Sequence, residues 1–287
     1  MPRLEEIAQF RPNTIEAALE AMQHGLEYFH RTNDFRAVFL RAYYITTKNI
    51  SRAIDQQRDF DNPIFFEPDW IRMLSGKFAS LYFASLNTFD KGPQEERAWK
   101  VAHGMATNKR TSVVQDLLLG INAHINYDLP VALYRNLMEY NDGPDIISLA
   151  KRKFDHDQVN NILIRSFDEI SVIIPREYGG SMKAAKVADL YIYESLTRLG
   201  LRHYRERVWW DGISLLSTES ETQRQLVMHK LNWESAKIAG TIAGENSAWI
   251  WATNQVLRRF RRTDFQCLLR RQAVTRSAEQ GSTRRMA

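Results

Sequence analysis

A chain of 287 residues, 44% of them hydrophobic, can bury a real core, and its single cysteine, Cys267, excludes an internal disulfide and the common thiolate zinc cages. The formal charge of +5 is concentrated at one end: between Arg258 and Ala287, nine arginines face only Asp264 and Glu279, which leaves the rest of the chain slightly acidic and argues against nucleic-acid binding. No apolar run is long enough to span a bilayer, and Met1-Pro-Arg-Leu-Glu-Glu lacks the plan of a signal peptide, so the expected setting is cytoplasmic.

Apolar spacing reads as helix almost throughout. Asn13 with Glu16 has the form of a capping box, and Ile15, Ala18, Leu19, Met22, Leu26 and Phe29 follow at helical spacing, predicting a helix over 14–30. A second runs from about Asp34 to Ile54. After a polar loop over 55–66, Pro68 sits at a helix start, and Trp70, Leu74, Phe78, Leu81, Tyr82 and Leu86 give the apolar face of a third. Further helices are predicted over 93–105, 111–127, 130–140, 143–174 with a break near Lys153, 180–199, 201–216 and 218–257. The last is opened by a Thr218 and Glu221 capping box. Ser171-Val-Ile-Ile-Pro175 is the one short rival strand, and Pro175 to Gly180 the one tempting midpoint. The expectation is an all-α fold, a single compact bundle of about ten helices over 1–262, followed by a basic, flexible tail over 263–287.

The run from Gly120 to Pro130 sets Asn122, His124, Asn126 and Asp128 in an otherwise apolar segment, where polar groups must be paired or must do chemistry. Their alternation also suits a half-buried strand, but the preceding Val113 to Leu119 run favours helix. On a helix, His124 and Asp128 share a face. They suit a ligand pair for zinc, manganese or iron, or an imidazole oriented by a carboxylate for proton transfer. The plainer alternative is Asp128 as N-cap before Leu129-Pro130, with His124 a satisfied core residue. Asn122 and Asn126 fit either substrate orientation or a helix junction.

In Phe154-Asp-His-Asp-Gln-Val-Asn160, consecutive side chains point apart, so Asp157 supplies at most one further ligand and Asn160 is the better inward group. An N-cap at Asp155 or Asp157 is the alternative. Glu206 is a further ligand or an acid–base group, or else the partner of Arg205 in an interhelical bridge. Aromatic residues such as Tyr43, Tyr82, Trp99 and Trp209 are core, or walls of an apolar pocket. Phosphate loops, nucleophile elbows, His-Glu-x-x-His helices and di-iron Glu-x-x-His pairs are missing, which disfavours nucleotide use and standard serine hydrolysis.

Several of these residues carry a resemblance. Phe78-Ala-Ser-Leu-Tyr82-Phe, the Gly120 to Pro130 run, Val159-Asn160 with Leu163, and Arg205-Glu206 followed by Trp209 and Leu215 resemble, in order and spacing, the bacterial family catalogued as domain of unknown function 5995. The likeness covers roughly residues 35 to 240 and implies a helical fold and a common site, but no reaction. Ser75 stands where that family often has an acidic residue, and residues 1–34 and the tail lie outside the pattern. His124-Ile-Asn-Tyr-Asp128 is also similar in spacing to a site helix of the helical zinc-dependent phospholipases C, as an analogy of sites.

Three functions are compatible with these residues. The first is metal-assisted hydrolysis of a small-molecule substrate. In it His124, Asp128 and Asp157 are metal ligands, Glu206 is a further ligand or base, and Asn122, Asn126, Asn160, Arg205, Trp209 and Tyr82 surround the substrate. The second is a metal-free lyase, cyclase or isomerase acting on a hydrophobic natural-product intermediate with His124 and Asp128 as the acid–base pair. The third is a binding or scaffold protein.

Overall fold

The computed structural model describes residues 2–56, 64–88, 97–140, 144–179, 198–245, 248–262 and 265. Most of the helix predicted over 180–199, together with Cys267 and the arginine-rich tail, lies outside them. The fold is an all-α bundle, and the only β pairing among the described residues is an isolated bridge between Gly179 and Arg261.

A short α1 (Leu4–Ile7), which the apolar spacing does not predict, precedes α2 (Ile15–Thr32). Thr14, rather than Asn13, caps α2 by accepting from the Ala17 amide. Then come α3 (Arg36–Gln56), α4 (Pro68–Thr88), α5 (Arg97–Thr107) and α6 (Val113–Ala123), the last opened by a Ser112 and Gln115 capping box. The chain passes from α6 without a loop, through a π turn over His124–Asp128, into α7 (Leu129–Glu139).

Helix α8 (Ile146–Tyr178) has no break at Lys153. The Lys153 ammonium reaches Asp157 one turn on at 2.5 Å, so the charged run is the outer face of a continuous helix. Asp145 is its N-cap, and the Asp155 carboxylate instead accepts the Phe66 and Glu67 amides ahead of α4. Ser171 to Pro175 is helical, the proline falling in the last turn before Gly179 ends the helix at a φ of 80°. Beyond lie α9 (Arg198–Leu216), α10 (Glu221–Ala243), α11 (Ala248–Leu257) and a 3₁₀ turn over Arg258–Phe260. The single helix predicted over 218–257 is thus two, because Gly244 closes α10 at a φ of 87°. Ser220 caps α10; the Thr218 hydroxyl donates back to Leu215. Phe265, placed by composition in the tail, is buried against Phe35, His30 and Tyr178.

Packing pairs α2 with α3, α3 with α8, α10 with α5 and α6, and α9 with α7. One apolar cluster gathers residues of α2, α3, α5 and α6; a second gathers Ile50, Trp70, Leu133, Val159 and Trp209. Phe78 packs against both. At Gly120 a Cβ would lie 2.3 Å from the Phe39 ring, so glycine is what lets α3 approach α6 and lay Phe39 and Tyr43 against the seam. No helix among the described residues is long and apolar enough to cross a membrane.

Candidate functional site

The π turn follows from Pro130. A proline inside a continuous helix has no N–H to give to the carbonyl four residues back, and the helix widens just upstream of it. The Leu129 amide donates to the His124 carbonyl five residues earlier. Side chains two apart on such a helix face opposite ways, which explains the strand-like alternation of the motif. One face carries Asn122 and Asn126. Asn126 Nδ2 donates to Asn122 Oδ1 at 2.9 Å, and Asn122 Nδ2 donates to the Ser235 carbonyl of α10 at 2.9 Å. These amides pin a helix junction rather than orient a ligand.

The other face carries His124 and Asp128, both about 2% exposed. His124 Nδ1 lies 2.8 Å from Asp128 Oδ2, and the same oxygen accepts the indole N–H of Trp99 at 3.0 Å. Asp128 makes no side-chain cap bond, so the capping alternative is overturned. With that carboxylate as acceptor, the proton of His124 is assigned to Nδ1, leaving a lone pair on Nε2. Nε2 has no hydrogen-bond partner among the described residues. Its ring stacks on Phe78 at 3.4 Å between centroids, tilted by 7°, and meets Tyr43 edge-on at 4.3 Å. Burial pushes the imidazole pKa well below its ordinary value, so it is neutral at pH 7. Burial, followed by the Asp128 charge, raises the Tyr43 phenol well above its usual value; its hydroxyl is also without a partner among the described residues.

His124 and Tyr43 line a cavity of about 150 Å³ at the seam of the two apolar clusters. Its walls include Phe39, Ile50, Ile71, Leu74, Phe78, Leu129, Val159, Leu163 and Phe167, with His156 and Arg205 among the few polar groups. Ser75 is on the wall too, its hydroxyl donating to the Ile71 carbonyl. Burial, then the Arg205 charge, lowers the His156 pKa to about 3, and burial lowers that of Arg205 to about 10. Arg205 Nη2 donates to the His156 carbonyl at 2.8 Å.

Of the residues read from sequence as site residues, His124, Asp128 and Arg205 are brought to this cavity or, for Asp128, to its dyad. Tyr82 stands behind Phe39 and borders a smaller void with Trp99 and His103. Trp209 packs behind His156 at 5.4 Å, and Asn160, although buried, is not on the wall. Glu206, about half exposed, accepts from Lys153 and from the Trp210 indole on the surface, so it is neither in the site nor bonded to Arg205. Asp157 accepts from the same lysine. These carboxylates therefore do not join His124 and Asp128, and no three His, Cys, Asp or Glu side chains among the described residues gather as a metal would require.

Tyr43, one of the aromatic residues offered by the sequence as core or pocket wall, is on the wall with Phe78; the sequence did not single out His156 as a wall residue or Trp99 as the second donor to Asp128. For His156 a signal existed: it begins a stripe of Val159, Leu163, Phe167 and Ile170 at helical spacing along α8, all of it facing the cavity.

The model of a family of unknown function, DUF5995, matches residues 15–244 of the chain. No curated protein and no solved structure matches it. The analogy to helical zinc phospholipases C accordingly has no support, and the two residues that suggested it bond to each other.

Proposed function

We propose that this chain, which belongs to the DUF5995 family of unknown function, is a metal-independent acid–base enzyme acting on a small hydrophobic molecule held in the cavity. One observation carries the reading: a neutral imidazole on the wall of an apolar void is held through Nδ1 by a buried carboxylate, and its Nε2 has no hydrogen-bond partner among the described residues. In this reading Nε2 of His124 removes a proton from an acidic carbon of the substrate. The C–H electron pair moves into an adjacent carbonyl, and the Tyr43 hydroxyl, kept protonated by burial, donates to the oxygen that becomes negative. Asp128 stabilises the imidazolium so formed. The imidazolium then returns that proton to another atom of the substrate in an isomerisation, to the departing group in an elimination, or to the atom of an internal electrophile that takes up the electron pair in a cyclisation. Asp128 also accepts from Trp99, which fixes the carboxylate while the charge on the imidazole changes.

The test is conversion by chelator-treated protein. Wild type and His124→Gln are incubated with a panel of small hydrophobic carbonyl compounds in deuterated water and followed by NMR and mass spectrometry. Deuterium uptake, isomerisation or elimination catalysed by wild type and lost in the folded variant is the expected result. Conversion only after a divalent metal is restored contradicts the reading in favour of metal-assisted hydrolysis. Binding with no conversion or exchange contradicts it in favour of a carrier.

A further inference from the structure

The ring and guanidinium groups with polar atoms on the cavity wall come from two sets of elements. His124 and Tyr43 belong to the π turn and α3; His156 and Arg205 belong to α8 and α9. Arg205 is 4% exposed, and no acidic side chain among the described residues lies within ion-pair distance of it. Asp157, whose charge favours the protonated guanidinium, is engaged by Lys153 and His156. Arg205 Nε has no hydrogen-bond partner among the described residues, and neither has His156 Nε2. An interior cation that lines a void and has one donor unmet is incomplete without an anion.

We infer that the cavity takes an amphipathic monoanion, a ring-sized hydrophobic carboxylate whose head pairs with Arg205 and whose body lies among Phe78, Val159 and Leu163 toward His124. This deepens the proposed function by giving its substrate class, and it rests on that reading only for the chemistry, not for binding. Four features select the class. The volume of about 150 Å³ is of the order that accommodates a single six-membered ring. His156 is neutral at pH 7, so this wall carries one positive charge rather than two, which matches a carboxylate better than a phosphate dianion. Its ring nitrogen accepts from a ligand hydroxyl in one tautomer and donates to the head in the other. A guanidinium also suits the planar carboxylate geometrically.

Calorimetric titration of the full chain with benzoate, benzamide and phenyl phosphate tests this without any turnover. Benzoate is expected to bind roughly tenfold or more tightly than benzamide, and more tightly than phenyl phosphate. In Arg205→Met the preference for benzoate over benzamide should fall to about twofold or less, and in Arg205→Lys it should be partly kept. If Arg205→Met does not fold, the wild-type comparison and the lysine variant still decide. Equal binding of benzoate and benzamide, tighter phenyl phosphate, a preference that survives in the methionine variant, or no binding of any probe at millimolar concentration overturns the inference. Failure of the proposed reaction is read separately, as benzoate selectivity without His124-dependent conversion.

Discussion

Two buried histidines neighbour the Trp99 indole. His103 stacks on that ring at 4.8 Å and a tilt of 15°, and its Nε2 is 2.9 Å from the Ser85 hydroxyl, which donates onward to the Tyr82 carbonyl. His124 stacks on Phe78, and its carboxylate takes the indole N–H. Both imidazoles are about 2% exposed, and burial drives both pKa values well below the ordinary range. Burial, stacking and a displaced pKa therefore do not separate a structural histidine from a reactive one. What separates them is the space beside each. His103 borders a void of about 10 Å³, too small for a ligand, whereas His124, whose Nε2 has no partner among the described residues, lines one of about 150 Å³.

The largest break in this comparison is expected from Asp128→Ala. It leaves the His124 and Trp99 donors without their acceptor in the interior, a loss of about 2–5 kcal/mol of stability. It should also lower any turnover by up to about 10⁴-fold through loss of the tautomer. Thermal or denaturant unfolding with the catalytic assay checks both; a near-neutral effect on stability would mean that the carboxylate is not the shared acceptor.

His124→Gln and His103→Gln sharpen the contrast directly. The first should lower turnover by about 10²–10⁴-fold while the protein still folds cooperatively. The second should lower stability by about 1–3 kcal/mol and leave the rate within a few-fold. Equal rate losses in the two variants would erase the distinction between them.

A smaller effect is expected on acidification. His103, His124 and His156 have folded pKa values below the unfolded imidazole value of about 6.5, so the unfolded chain binds more protons. Their stabilisation is present above that pH and is lost as pH falls toward the folded values. Asp116, buried with Thr111 and Arg261, has the opposite sign: burial raises its pKa to about 7, so its contribution grows as pH falls from 7. Three imidazoles outweigh one carboxyl, and unfolding free energy should fall by on the order of 1 kcal/mol between pH 7 and 6. Urea unfolding at the two pH values checks the sign; greater stability at pH 6 would contradict the account of the buried imidazoles.

Much of the fold was legible in the sequence because apolar spacing and first-turn signals act locally. Pro68, and the stripe from Trp70 to Leu86, placed α4 without tertiary information. Errors arose where a local signal had a non-local use. The acidic run near Lys153 resembled a helix start, yet Asp155 holds amides ahead of another helix. The stretch over 218–257 was periodic enough to hide Gly244, whose left-handed φ depends on the turn it makes. The motif from Asn122 to Asp128 was found by its polarity, but its division into a brace and a dyad required the π turn and two distant partners, Ser235 and Trp99. Glu206 was misplaced because neighbouring residues on a helix face different surroundings: Arg205 turns inward, Glu206 outward.

The measurement that bears most directly on the role proposed for His124 is a long-range ¹⁵N–¹H correlation spectrum of histidine-labelled protein at pH 7, with His124→Gln and His103→Gln used for assignment. The account predicts that His124 is neutral with its proton on Nδ1, and that its Nε2 resonance, at an unprotonated position, moves when benzoate fills the cavity while that of His103 does not. A proton on Nε2 of His124, or an imidazolium at that pH, would contradict it.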